Sequence, residues 1–157
     1  TGLERNAGVV QMASYAPLLA KEGHTQWSPD LIYFNNSEVK PTTGYYIQKL
    51  YGQHAGDVYL PSVIALDNNQ DAVKKRVAVS VVRDTKTNDL IIKMVNSLPV
   101  AVNTTIGGIT GGQAQKIVLQ GNPADKNVQP VETPITVAQT TAVELAAYSF
   151  TVLRIRS

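Results

Sequence analysis

The spacing of apolar residues changes near residue 55, and the two parts of the chain predict different kinds of structure. Between residues 3 and 20, apolar side chains recur at helical spacing, which predicts a helix that Pro17 ends or kinks. The continuous apolar run Leu31–Phe34 lies between polar turns. Such a run is typical of a strand that is buried on both faces, as in a parallel sheet.

A second helix is predicted over residues 44–51, because Thr42 or Thr43 can cap its start and because Tyr46 and Leu50 share one face. The first part of the chain, residues 1–55, is therefore predicted as a helix–strand–helix segment of the kind found in β/α folds. One such unit cannot cover both faces of its own sheet.

From residue 56 onward the pattern alternates between apolar and polar, which predicts short strands joined by turns. The predicted strands cover residues 58–60, 63–66, 76–83, 90–95, 100–106, 115–120 and 147–155. Several short strands with regular turns are typical of an antiparallel sandwich or barrel. We therefore predict a mainly β protein with two domains, residues 1–55 and 56–157.

Composition narrows the class of protein. The 157 residues include 14 Lys and Arg against 12 Asp and Glu and no Cys, and 43% of them are hydrophobic. This content excludes a disordered tail, disulfides and thiolate chemistry, and without a basic block no nucleic-acid partner is expected. No apolar run approaches the ~20 residues of a membrane span. The chain opens without Met or a signal peptide, which predicts a fragment or processed piece, and the composition selects no compartment.

Motifs for catalysis are scarce. His24 and His54 are the only histidines, and no Asp follows either at a metal-ligand spacing, so surface roles are favoured over a base or a metal site. The sequence GGITGG lacks the Lys-Ser/Thr of a phosphate-binding loop, which favours a turn. The serine nucleophile motif G-x-S-x-G is absent, and the aspartates fall in predicted turns. We predict no catalytic residue, metal or cofactor.

Aromatic residues concentrate in the first 60 positions, where they allow two interpretations. Five of them are Trp27, Tyr45, Tyr46, Tyr51 and Tyr59. Aromatic faces stack on sugar rings, which would suit a carbohydrate-binding module. The favoured interpretation is that they pack an interface between helix and sheet, because aromatic side chains dominate such contacts. Burial of these rings would remove the support for a binding module.

Four stretches resemble the α-L-arabinofuranosidases of glycoside hydrolase family 51. They read ERNAGVVQMASYAPLLAKEGHTQWSPDLIYFNN, GYYIQKLYGQHAGDVYLP, NDLIIKMVNS and LAAYSFTVLRI. The resemblance runs from Glu4 to the last predicted strand. It implies a retaining, exo-acting enzyme with a (β/α)₈ barrel followed by a jelly-roll-like β-sandwich. Gly8 departs from the polar residue usual in the family.

The resemblance implies that the two predicted parts of the chain belong to one enzyme, the first to the end of its barrel and the second to its sandwich. It implies that Glu4–Tyr15 lies on a late barrel helix, Leu31–Phe34 on the last barrel strand and Thr43–Tyr51 on the last barrel helix, with the sandwich from Asp57 onward. No position matches the acid/base Glu or the nucleophile Glu of the family, so both are expected upstream. The end of a last barrel strand lies at the catalytic face.

The resulting expectation is a non-catalytic C-terminal portion of an arabinofuranosidase that supports the barrel of its parent chain. The candidates for contact with sugar are Tyr33, Asn35, Asn36 and Trp27. An independent carbohydrate-binding module and an interaction sandwich without a ligand are the alternatives. The parent would act on arabinose-containing hemicellulose, and both a secreted or periplasmic and a cytoplasmic parent are compatible with the sequence. Without the barrel, the apolar residues of 1–55 predict that this segment either folds back on the sandwich or joins the same segment of a second chain to give a dimer.

Overall fold

The structure, a computed structural model, describes residues 1–68, 70–122, 125 and 128–157. In chain order its elements are α1 (Gly2–Arg5), β1 (Leu19–Lys21), β2 (Ile32–Phe34), β3 (Val39–Pro41), α2 (Thr43–Gln53), β4 (Val58–Leu60), α3 (Asp71–Lys74), β5 (Val77–Asp84), β6 (Asp89–Asn96), β7 (Val102–Gly107), β8 (Gly112–Gln120), β9 (Val131–Val137), β10 (Thr140–Leu145) and β11 (Ser149–Ile155). The largest sheet is antiparallel and has the order β4-β5-β6-β11-β8-β9. The prediction of a mainly β, antiparallel fold is confirmed.

One face of this six-stranded sheet packs against the antiparallel pair β7 and β10 and forms a sandwich. Ile92, Met94 and Leu153 come from the large sheet, and Val143 and Leu145 come from β10; all five are buried in one cluster. Successive side chains of a strand point to opposite faces, so Ile92 and Met94 share this face as the alternating pattern predicts. Burial of each such side chain contributes roughly 1.5–3 kcal/mol.

The opposite face of the large sheet packs against α2. Val82, Ile91, Ile117 and Val152 form a second buried cluster with Leu50 of the helix, which is 4% exposed. The two predicted parts of the chain, residues 1–55 and 56–157, therefore contribute to one apolar cluster. The boundary between them stays a prediction, because shared packing does not define folding units.

Helix α2 forms where its capping signal predicts. The hydroxyl of Thr42 accepts a hydrogen bond from the Tyr45 backbone N–H at 3.4 Å and donates one to the Leu31 carbonyl at 2.8 Å. The same side chain thus caps the helix and ties it to the residue that precedes β2. The helix runs two residues beyond the predicted end, and the backbone N–H of His54 bonds to Leu50 at its C-terminus.

The predicted helix over residues 3–20 is wrong. Within this range, helical structure is limited to α1, and residues 10–18 have no regular secondary structure. The apolar stripes that suggested the helix have no partner, since Val9 is 80% and Met12 is 89% exposed. A helix without a packed face is marginal in water, and Gly8 with β-branched Val9 and Val10 lowers the propensity further.

The strand predicted over residues 31–34 is confirmed as β2, but its environment differs from the prediction. It lies in the middle of a three-stranded sheet, parallel to β1 and antiparallel to β3. Its three residues are half-buried rather than buried on both faces, whereas the adjacent Leu31 is 5% exposed. The helix–strand–helix prediction is therefore corrected to one helical turn, three short strands and one helix.

Between α2 and the last strand, three further sequence-based expectations have clear outcomes. Residues 63–66 form no strand, and Val63 is 95% exposed. Strands β9 and β10 were not predicted. The GGITGG segment is a turn, as favoured, and it carries the chain from β7 to β8 in the other sheet. Gly108 has a φ of 74°, and a Cβ at Gly111 would lie 2.9 Å from the Val137 carbonyl oxygen, so both glycines are required there.

Candidate functional site

The candidate sugar-contact residues lie on and around β2. The phenolic oxygen of Tyr33 accepts a hydrogen bond from the Asp30 backbone N–H at 2.9 Å. The side-chain oxygen of Asn35 accepts bonds from the backbone N–H groups of Ser37 and Glu38, both at 2.9 Å. Asn35 therefore builds the turn from β2 to β3 in the manner expected of Asn. Its amide also donates to Glu22 at 2.8 Å, which links the ends of β1 and β2.

Trp27 lies in the loop between β1 and β2 and presents its ring to solvent. Its side chain is 71% exposed, although its backbone N–H donates to the Thr25 hydroxyl at 3.1 Å. That hydroxyl in turn donates to the buried Asp30 carboxylate at 3.1 Å. The loop is thus held at the start of β2, whereas Asn35 and exposed Asn36 follow its end. Tyr33 lies within β2, and the other three candidates flank the strand without sharing one end of it.

Three of the tyrosines singled out in the sequence pack against the core rather than forming a stacking platform. The Tyr51 ring stacks on Phe150 with centroids 4.9 Å apart and planes at 7°. Tyr46 and Tyr59 pack against the same buried cluster, and Tyr45 meets Tyr46 edge-on at 5.3 Å. The favoured interpretation, packing between helix and sheet, is confirmed for Tyr46, Tyr51 and Tyr59. Trp27 alone of the aromatic set keeps an open face among the described residues.

His54 lies at the C-terminal end of α2, beside a cleft of about 410 Å³. The cleft has an apolar floor and a polar rim, and it is lined by Lys49, Leu50, Gln53, His54, Ile117, Pro130 and Glu132. Burial lowers the pKa of His54, and the positive charges of Arg154 and Lys93 act in the same direction against Glu132. Its Nδ1 has no hydrogen-bond partner. In the described part of the chain, no three His, Asp or Glu side chains could hold a metal ion.

Two of the turn aspartates are held by one cation. Arg154 Nε donates to the Asp89 carboxylate at 2.6 Å, and a second guanidinium nitrogen donates to Asp84 at 3.0 Å. The two carboxylates are thereby committed to closing the β5–β6 hairpin against β11. This arrangement stabilises a turn, and it leaves both groups tied to a counter-ion rather than free as acid or base.

The most buried charge in the described residues was missed by the sequence analysis. Lys93 lies in the centre of β6 with 0% exposure, and its ammonium pairs with Glu4 of α1. The second carboxylate oxygen of Glu4 accepts from the Ser80 hydroxyl at 2.5 Å. A Lys within the apolar run LIIKMV was the available signal, because such a residue is almost never fully buried unless paired.

Comparison with known proteins decides the family. The sequence profile described as "Alpha-L-arabinofuranosidase C-terminal domain" matches residues 1–153. The chain belongs to this family. The resemblance found in the sequence is therefore confirmed for almost the whole chain.

Curated relatives of this arabinofuranosidase C-terminal domain match less than half of its length. An extracellular exo-alpha-L-arabinofuranosidase of Streptomyces chartreusis is 55% identical over 62 residues, which are 40% of this chain and 8% of that protein. Alpha-L-arabinofuranosidase 1 of Arabidopsis thaliana is 40% identical over 63 residues, or 9% of its length. The chain thus matches less than a tenth of these relatives.

A solved structure covers the whole fold. The arabinose-bound family 51 α-L-arabinofuranosidase MgGH51 superposes with a TM-score of 0.85 at 29% identity, over 99% of this chain and 26% of that one. An α-L-arabinofuranosidase from Thermotoga maritima gives a TM-score of 0.66 at 15% identity, over 82% of this chain and 32% of that one. The second likeness concerns the fold alone. The arabinofuranosidase C-terminal domain therefore has the fold of its family.

Proposed function

We propose that this chain is the non-catalytic C-terminal part of a retaining α-L-arabinofuranosidase and that it supports the catalytic barrel of its parent. The parent would cleave arabinose from hemicellulose through two Glu residues by double displacement. Neither Glu is matched in this chain, so the chemistry belongs to the upstream part. No cofactor, nucleic acid or membrane has a role in this proposal.

The distribution of exposed apolar side chains carries the proposal. In the described residues, nine of the fourteen large apolar side chains that are exposed lie within residues 3–47. They are Leu3, Val9, Met12, Tyr15, Leu18, Leu19, Trp27, Val39 and Ile47. Exposed apolar side chains concentrated in one segment of a chain are expected to be covered by a partner. The occupant we propose is the upstream barrel, because relatives and the similar solved structure are several times longer than this chain.

The same surface gives the candidate sugar contacts a place in the proposal. Trp27 is exposed next to β2, and Asn36 is exposed after it. If β2 completes the barrel, its C-terminal end lies at the catalytic face, so Asn36 can reach the bound arabinoside while Tyr33 and Asn35 hold the strand and its turn. Trp27, at the start of β2, would lie away from that face. Replacement of Asn36 in the longer protein would then change sugar affinity more than replacement of the other three candidates.

The test compares the 157-residue chain with the longer protein that contains it. The longer protein is expected to hydrolyse an aryl arabinofuranoside with retention at the anomeric carbon, and the chain alone to give no turnover. Met12→Asp should lower the yield of soluble, active longer protein, because it places a charge in the proposed interface. Val100→Asp is the matched control, since Val100 is 58% exposed on the sandwich. Turnover by the chain alone that depends on one of its own carboxylates would overturn the proposal.

The alternative of an independent carbohydrate-binding module keeps one favourable observation, the open ring of Trp27. Titration of arabinan or arabinoxylan fragments into the chain, beside Trp27→Ala, distinguishes the two. Binding by the isolated chain that is lost in Trp27→Ala supports the module. Contact with sugar in the longer protein alone supports the barrel proposal.

A further inference from the structure

The short helix α1 is attached to the sandwich by polar contacts rather than by apolar burial. None of its four residues is buried, and Leu3 is 58% exposed. Arg5 donates to the Val79 carbonyl at 3.1 Å, and both carboxylate oxygens of Glu4 accept bonds from the sheet. The position of α1 therefore depends on the Glu4 charge.

The receiving group is built into the sheet. Lys93 is in register with Ser80 on one side and Val152 on the other, on the face that packs against α2. Its ammonium lies 5.1 Å from the centre of the Tyr51 ring, which covers it from the helix. Lys93 thus has an aromatic cover, a hydroxyl neighbour and Glu4 as its ion-pair partner.

Glu4 is the one carboxylate that pairs with Lys93 among the described residues. The other titratable groups near Lys93 are the Thr1 amino group, His54 and the hydroxyl of Tyr51, and none of them is a carboxylate. Burial lowers the pKa of Lys93, and the Glu4 carboxylate opposes that effect. Loss of Glu4 would therefore leave a buried positive charge with no replacement.

We propose that Ser80, Lys93 and Tyr51 form a docking site for the Glu4 carboxylate, which fixes the incoming chain in one position on the sandwich. Desolvation offsets much of the attraction in a buried ion pair, so we assign this pair a role in positioning the chain rather than in net stability. In the longer protein, the same contact would set the angle between barrel and sandwich, and this part of the inference rests on the proposed function. The docking itself is a property of the 157-residue chain.

The site predicts opposite outcomes for its two partners. Glu4→Gln leaves the buried Lys93 ammonium without its counter-ion and should raise the unfolding equilibrium constant at pH 7 about 100-fold or more. Lys93→Met replaces a buried charge by an apolar side chain of similar length, so the sandwich should keep its stability while α1 is released. Release is measured as trypsin cleavage after Arg5, which should quicken about tenfold because cleavage follows the open population.

The double variant and pH complete the test. Glu4→Gln/Lys93→Met should recover most of the stability lost in Glu4→Gln. Without its counter-ion, Lys93 has a lower pKa in the folded state than in the unfolded state. The loss of stability caused by Glu4→Gln should therefore become smaller as the pH rises from 7 to 10. Glu38→Gln, in an exposed pair with Lys40, is the control and should change little.

The proposal fails if the double variant is as unstable as Glu4→Gln, or if Lys93→Met destabilises the sandwich without faster cleavage after Arg5. The proposal also fails if Glu4→Gln folds as stably as the unchanged chain. These outcomes do not involve arabinofuranosidase activity, so the proposed function is tested separately from the docking site.

Discussion

Leu50 is expected to contribute to the free energy of unfolding by packing α2 against the sandwich. It is the buried residue of that helix and is 4% exposed against Val82, Ile91 and Ile117. Leu50→Ala removes buried methyl groups and leaves a cavity, which costs about 2–5 kcal/mol. For a domain of this size the melting temperature should fall by about 4–20 °C.

The assay is urea unfolding followed by circular dichroism, with thermal unfolding beside it. Leu50→Ala should lower the midpoint without changing the slope, as a pure stability change does. Ile47→Ala, one turn earlier and 36% exposed, is the matched control and should lose less than about 1 kcal/mol. Equal losses in both variants would refute the argument. Two separate transitions would show that α2 and the sandwich unfold independently, in agreement with the predicted boundary at residue 55.

Three further expectations concern other parts of the chain. Asp89→Asn should cost about 1–3 kcal/mol in chemical unfolding, because it leaves the half-buried Arg154 guanidinium with a weaker partner; an unchanged midpoint would contradict this. The folded pKa of His54 lies below its unfolded value, so its contribution is complete above about pH 6.5 and is lost as the pH falls. His54→Gln should therefore flatten the stability profile between pH 6.5 and 5, and a parallel profile would refute the sign. Sedimentation at several concentrations should reveal a dimer that Val9→Asp weakens, whereas a monomer at all concentrations would refute association through residues 1–55.

The local sequence pattern was sufficient to predict those elements whose apolar faces meet a packing partner in the structure. The alternation of β5, β6 and β11 predicted both the strands and their faces, because one face meets the β7–β10 pair and the other meets α2. The cap at Thr42 predicted the start of α2 for a purely local reason, the bond from the Tyr45 backbone N–H. The specific stretches of the sequence also identified the family.

Strands with an irregular pattern escaped prediction. In β9, Pro134 and a mostly exposed face conceal the strand, yet β9 lies at the edge of the large sheet, where Pro is tolerated. The predicted helix over residues 3–20 failed for the opposite reason. Its periodicity was regular, but Val9 and Met12 meet no partner in this chain, so nothing stabilises the helical conformation.

The sequence by itself determined the fold class, the family and the expectation that catalysis lies elsewhere, since these depend on composition, alternation and specific stretches of residues. It also predicted the strand over residues 90–95 in which Lys93 lies. Only the tertiary structure decided that its partner is Glu4, 89 residues earlier in the chain, and that Tyr51 covers the pair. Pairing over such a separation is set by how helix and sheet pack together, which no local pattern records.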